Sequence, residues 1–82
     1  MILTKLNKSK NKVVGKKQTI NVILEGKAER VFLAEDADRH ILDEIYRISK
    51  ENNVSIVKVD SKLRLGRACG IDVSAACAAL LK

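Results

Sequence analysis

The sequence predicts a small α/β sandwich, in which a sheet that is at least partly parallel is covered by helices. Three observations predict it. Short apolar runs alternate along the chain with segments whose apolar residues recur at helical spacing. The 82 residues suffice for one modest core and not for a large enclosed active site, because chains of this size bury only about 60% of their unfolded surface. No proline, repeat or low-complexity tract marks a linker, so a single domain over residues 1–82 is expected.

Taken in order, residues 2–9 are expected to form a short helix, since Ile2, Leu3 and Leu6 share a face, and Lys12–Val14 a short strand ending at Gly15. Residues 16–25 follow as a helix. Ile20, Ile23 and Leu24 form its expected core stripe, Gly26 stands where a left-handed cap belongs, and Lys17, Gln18 and Asn21 face outward. Residues 31–34 read as a buried strand stopped by Glu35 and Asp36. Asp38 is placed to cap the next helix, whose apolar face is Ile41, Leu42, Ile45 and Ile48 and whose exit is Asn52 and Asn53. Residues 54–59 are a strand with Ser55 and Lys58 interspersed. Ser61 starts a short helix ending near Gly70, with Leu63 and Leu65 or Ala68 on its buried side. Residues 74–81 fit two readings: alanine favours helix, and a run of small apolar residues also suits a buried strand.

Charge narrows the function. The net charge is +6, and hydrophobic and charged residues, at 46% and 32%, are those of a soluble globular domain. Residues 1–30 carry eight Lys or Arg against Glu25 and Glu29, while residues 31–60 carry four against seven acids and residues 61–82 four against Asp72. Basic ends around an acidic middle suit a polyanion on one face, because Lys and Arg that displace counterions supply much of the affinity for nucleic acid. A merely solvated basic surface has the same composition. No apolar run is long enough to span a membrane, no signal peptide is recognisable, and a cytoplasmic location is expected. Cys69 and Cys77 lack metal or redox spacing and read as reduced packing residues. His40, the single histidine, is expected at the surface, and no serine or cysteine has a neighbouring base, so neither catalysis nor a cofactor is expected. Strand termination and capping account for Glu35, Asp36 and Asp38 more simply than a metal does.

Two segments are suited to binding. Gly15-Lys16-Lys17-Gln18 marks a strand-to-helix turn, which gathers backbone N–H groups and the positive end of a helix dipole around a glycine that permits close approach. Lysines oppose that dipole by a few tenths of a kcal/mol, so a partner outside the fold is expected to balance them. Gln18 both donates and accepts, which suits a base edge. The second segment carries Lys62, Arg64 and Arg67 on a short helix leading into Gly70-Ile71-Asp72-Val73. Ile71 or Val73 would suit an unstacked base if exposed, and spacing alone favours the core for either. With Phe32 and Tyr46 as its two aromatics, the chain lacks a stacking platform, so recognition has to use shape and edges.

Gly15-Lys16-Lys17-Gln18-Thr19, Leu33-Ala34-Glu35-Asp36-Ala37-Asp38 and Leu65-Gly66-Arg67-Ala68-Cys69-Gly70-Ile71-Asp72-Val73, in that order and spacing, resemble the kink-turn-binding ribosomal protein family known as L-seven-Ae. The likeness runs from about residue 10 to the end and is strongest to the short bacterial, ribosomal-protein-like members. It implies a three-layer α/β/α sandwich with a small mixed sheet, in which residues 76–81 are a strand. It also implies an RNA-binding protein, ribosomal or ribosome-associated, that stabilises a kink-turn. In such a complex the helix beginning at Gly15 enters the widened groove of the bent RNA. Lys17 and Gln18 read the guanine edges of sheared G·A pairs, with Gly15 and Lys16 near the backbone. Ile71, Asp72 and Val73 cover the flipped-out nucleotide, and Lys62 and Arg67 lie near phosphates.

Two departures matter. Many archaeal and eukaryotic members have Asn-Glu where this chain has Lys17-Gln18, so a neutral amide replaces a carboxylate and lower affinity is expected. Members commonly carry a lysine where this chain has Asn21, which offers a hydrogen bond to phosphate but no charge. The partner implied is a structured RNA containing a kink-turn, with no membrane and no small-molecule substrate, bound by a monomer. A rival reading is a basic protein-interaction or structural subunit with nonspecific RNA affinity.

Overall fold

The computed structural model describes residues 11–82, and the helix expected over residues 2–9 lies outside them. The described chain runs β1 (Lys12–Val14), α1 (Lys16–Leu24), β2 (Ala28–Ala34), α2 (Arg39–Glu51), β3 (Ser55–Val59), α3 (Lys62–Ala68) and β4 (Cys77–Leu81). The strands form one sheet in the order β1-β4-β2-β3. β2 and β3 are parallel, from Arg30 opposite Ser55 to Ala34 opposite Val59. Such a pair needs a long crossover, which α2 supplies. β4 is antiparallel to both β1 and β2, so the sheet is mixed.

Placing the last strand between β1 and β2 settles the residue 74–81 ambiguity. Cys77, Ala78, Ala79 and Leu80 are all buried, because both faces of β4 are covered and both edges are paired. Tertiary pairing overrides the helix propensity of alanine there.

The pleat then divides the core. Val31, Leu33, Cys77 and Ala79 face one side, under Val22 and Ile23 of α1 and Ile45 and Ile48 of α2. Phe32, Ala34, Ala78 and Leu80 face the other, under Leu65 of α3 and the following Cys69 and Ala75. Three layers result. Phe32 lies opposite Ala78, a large side chain over a small one, and truncating it to alanine would cost about 3–5 kcal/mol.

Several local expectations change. The buried stripe of α1 is Thr19, Val22 and Ile23, one position earlier than expected, while Leu24 is 62% exposed. Gly15 N–H bonds the Cys77 carbonyl at 2.9 Å, which anchors the helix start on β4, and Thr19 one turn on is fully buried. In α3 the buried residues are Leu65 and Gly66, and Leu63 is exposed. Asp38 occupies the N-cap of α2, yet its carboxylate makes no capping bond. Asp36 caps instead, and on another helix: its Oδ1 accepts the Lys62 N–H of α3 at 2.8 Å. Ser61 Oγ accepts from Arg64 N–H at 3.1 Å in the same turn. Cys69 and Cys77 are buried and unpaired, and burial pushes both thiols up.

Candidate nucleic-acid interface

Strand directions bring the two predicted segments to one rim of the sheet. β1 ends where β4 begins, because Val14 lies opposite Ala78. β2 ends there too, with Leu33 opposite Cys77, and β3 ends beside β2. The Gly15 turn and the loop of residues 69–76, which enters β4, are therefore neighbours. The 2.9 Å bond from Gly15 N–H to the Cys77 carbonyl fastens them, and Ala34 N–H reaches the Ala76 carbonyl at 2.9 Å from the β2 side.

The first half of the rim is built by backbone. Gly15 has φ 107° and ψ 157°, a region essentially reserved for glycine, and nothing lies within 4 Å of where its Cβ would be. That conformation lets β1 turn straight into α1. The helix opens with no side-chain cap and no acid in its first turn, so its leading N–H groups and dipole face outward. Lys17, Gln18 and Asn21 are exposed on the same helix. Lys16, Lys17, Ile20, Asn21 and Glu44 line a shallow depression of about 340 Å³.

Lys16 differs from the expectation. Its Nζ lies 2.8 Å from Glu44 Oε1 on α2, so one of the two lysines at the helix start is balanced inside the fold. That hydrogen bond holds the Glu44 carboxyl below its ordinary range. Lys17 makes no ion pair among the described residues.

The second half is built by packing. After α3 the chain turns at Gly70, with φ 79°, and runs back along the helix. Ile71 N–H bonds the Gly66 carbonyl at 3.1 Å and Ala75 N–H the Lys62 carbonyl at 3.0 Å. Contact is closest at Gly66, where a Cβ would collide with the Val73 carbonyl and approach Ser74 Cα to 3.1 Å. Held this way, Val73 is 67% exposed, against the spacing-based expectation of core. Ile71 is half-buried and packs on the Phe32 cluster, so it supports the loop from beneath. Asp72 and Arg67 are exposed and Lys62 half-buried beside the loop. Arg64 bonds Asp60 at 3.1 Å, pointing its charge along the helix.

All ten predicted residues thus fall at this rim or on the two helices leaving it. Sequence reasoning missed two others. Gly66 carried a signal, since a glycine inside a helix usually marks a close approach. Glu44 carried none, because its role depends on how α2 lies against α1.

Fold and rim together define a small α/β/α module that presents helix amides, exposed cations and one apolar residue on a single edge. The chain belongs to the ribosomal protein L7Ae/L30e/S12e/Gadd45 family, which it matches over residues 2–82. It is 50% identical over 70 residues, 85% of each chain, to a protein of Geobacillus sp. (strain WCH70) named as an RNA-binding protein. It is 34% identical over the full length of both chains to another so named from Halalkalibacterium halodurans. Among solved structures it resembles a Giardia lamblia 15.5kD RNA binding protein, with TM-score 0.88 and 28% identity, over 99% of this chain and 68% of that one.

Proposed function

We propose that this chain is an RNA-binding protein of its family and that the rim recognises and stabilises a kink-turn, as a ribosomal or ribosome-associated component acting in the cytoplasm as a monomer. The observation that carries this reading is the joining of the Gly15 turn to the 69–76 loop through the 2.9 Å Gly15–Cys77 bond. It supports the reading because groups suited to three parts of a bent RNA lie on that one rim. The α1 amides and Lys17 suit backbone phosphates, Gln18 suits a base edge, and exposed Val73 suits the face of a flipped-out base. Asn21 adds a hydrogen bond beside them, while Lys62, Arg67 and Asp72 border the loop. No step of this recognition calls for a cofactor or for catalysis.

The test is binding to a kink-turn RNA and to a matched duplex lacking the bulge, across a salt series. The expected preference for the kinked RNA is on the order of 10³-fold. Gln18→Ala should remove about 1–3 kcal/mol of it. Equal and steeply salt-dependent binding to both RNAs would mean that the cations act nonspecifically.

A further inference from the structure

The ion pair between α1 and α2 limits what the rim can hold. Lys16 is the first residue of α1, and Glu44 Oε1 lies 2.8 Å from its Nζ. A phosphate reaching Lys16 meets a carboxylate already there. It must displace Glu44 or lie beside a like charge, and either weakens the contact. Stability gives little reason for the pair, since the two side chains are 41% and 35% exposed and such pairs contribute little. The neighbouring charges are otherwise engaged: Arg47 with Glu51 and Asp43 with Arg39, each at 3.4 Å. Lys16 of α1 and His40, Asp43, Glu44 and Arg47 of α2 line one hollow.

We propose that Glu44 is a specificity-determining residue, which by holding Lys16 withholds one cation from phosphate and so weakens binding of straight duplex RNA more than of kinked RNA. The proposal depends on the kink-turn reading for its second arm. A straight duplex offers the rim phosphates and little else, so every available cation counts. A kinked RNA also engages the α1 amides, Gln18 and Val73, none of which Glu44 occupies.

The experiment compares the wild-type chain, Glu44→Gln, Lys16→Gln and the double variant on a kink-turn RNA and the unbulged duplex over a salt series. Glu44→Gln is expected to tighten duplex binding about five- to tenfold at low salt. It should also steepen the logarithmic salt dependence by about 0.9, one further phosphate contact. Kinked RNA should gain about twofold, since the α1 amides, Gln18 and Val73 fix its register and with it the phosphate nearest Lys16, whereas a straight duplex can slide to bring one into full contact. The gain should vanish in the Lys16→Gln background. Unchanged or weaker binding to the duplex, an equal gain on both RNAs, or a gain that survives Lys16→Gln would each overturn the proposal. Wild-type preference between the two RNAs tests the kink-turn reading separately, because it is read on the unsubstituted chain before any gain is compared.

Discussion

Gly15 sits in backbone that disfavours any side chain, with open space where a Cβ would go; Gly66 sits in ordinary helical backbone with no space for one. Each holds one half of the rim. At Gly15 the requirement is conformational and belongs to the turn itself. At Gly66 it is one of packing and belongs to a loop that returns over the helix. The same residue type therefore fails differently in the two halves, and substitution separates them.

Gly66→Ala should have the largest effect. Alanine favours a helix interior by about 1 kcal/mol over glycine, so propensity alone predicts stabilisation. The collision with the Val73 carbonyl acts against it, because the obstructing atom is backbone and moves only with the loop. Overpacking of this kind costs about 1–3 kcal/mol, and in a domain this small each kcal/mol lowers Tm by roughly 4–8 °C. Thermal unfolding should show the loss, and affinity for kink-turn RNA should fall at least about tenfold as Val73 is displaced. A variant as stable as the wild type would mean that the loop yields freely and that the contrast with Gly15 is not one of packing.

Gly15→Ala should cost about 1–2 kcal/mol through backbone strain alone. Asparagine sharpens the point. Gly26, with φ 73°, is left-handed and has open space around it, so Gly26→Asn should be nearly neutral. Gly15→Asn should be as costly as Gly15→Ala, because φ 107° with ψ 157° lies outside the region asparagine tolerates. Chemical denaturation of the three variants checks this, and rescue by asparagine at Gly15 would move that half into the ordinary class of turns.

Val73→Ala should change stability by less than about 0.5 kcal/mol, since the side chain is mostly in solvent. It should weaken kink-turn binding by about 1 kcal/mol while leaving straight-duplex binding alone. Leu63→Ala, another exposed aliphatic residue but one on α3 itself, should change neither. A loss of stability in Val73→Ala would place that residue in the core after all.

The contrast also explains what the sequence could reveal. The β1 turn, α2 and the existence of β2 and β3 were legible because their signals are local: a glycine between strand and helix, apolar residues at helical spacing, short apolar runs. A partly parallel sheet followed from their alternation with helices, but not which strands pair. The amides and exposed Lys17 and Gln18 followed from that turn. The strand at residues 77–81 was not legible from the residues themselves, because alanine reports propensity and not which neighbours it bonds; it took the resemblance to place it. The one-position shift of the α1 stripe was hidden for a related reason. Thr19 scores as polar, yet it is fully buried beneath β4, where the anchoring of Gly15 on Cys77 puts it. Spacing alone misplaced Val73, because exposure there depends on Ile71 packing onto the Phe32 cluster and holding the loop from below, a contact between residues far apart in the chain.

The smallest expected effect concerns charge in the first half. Glu44 accepts a hydrogen bond from Lys16, and this holds its carboxyl below the ordinary value of 4.5. A carboxyl depressed in the folded state stabilises above its unfolded value, and the contribution is lost as pH falls from about 4.5 through the folded value. Wild type and Lys16→Gln should therefore differ slightly in thermal midpoint near neutrality and converge in acid, with Lys16→Gln the flatter curve. High salt should shrink the difference, because the pair is partly solvated. Carboxyl NMR titration reads the same contact directly: the Glu44 midpoint should rise when Lys16 is replaced and stay low when Lys17 is. An unshifted Glu44 in the wild type would mean that the pair is not held in solution. Lys16 would then be as available to phosphate as Lys17, and the first half of the rim would be restrained by its glycine alone.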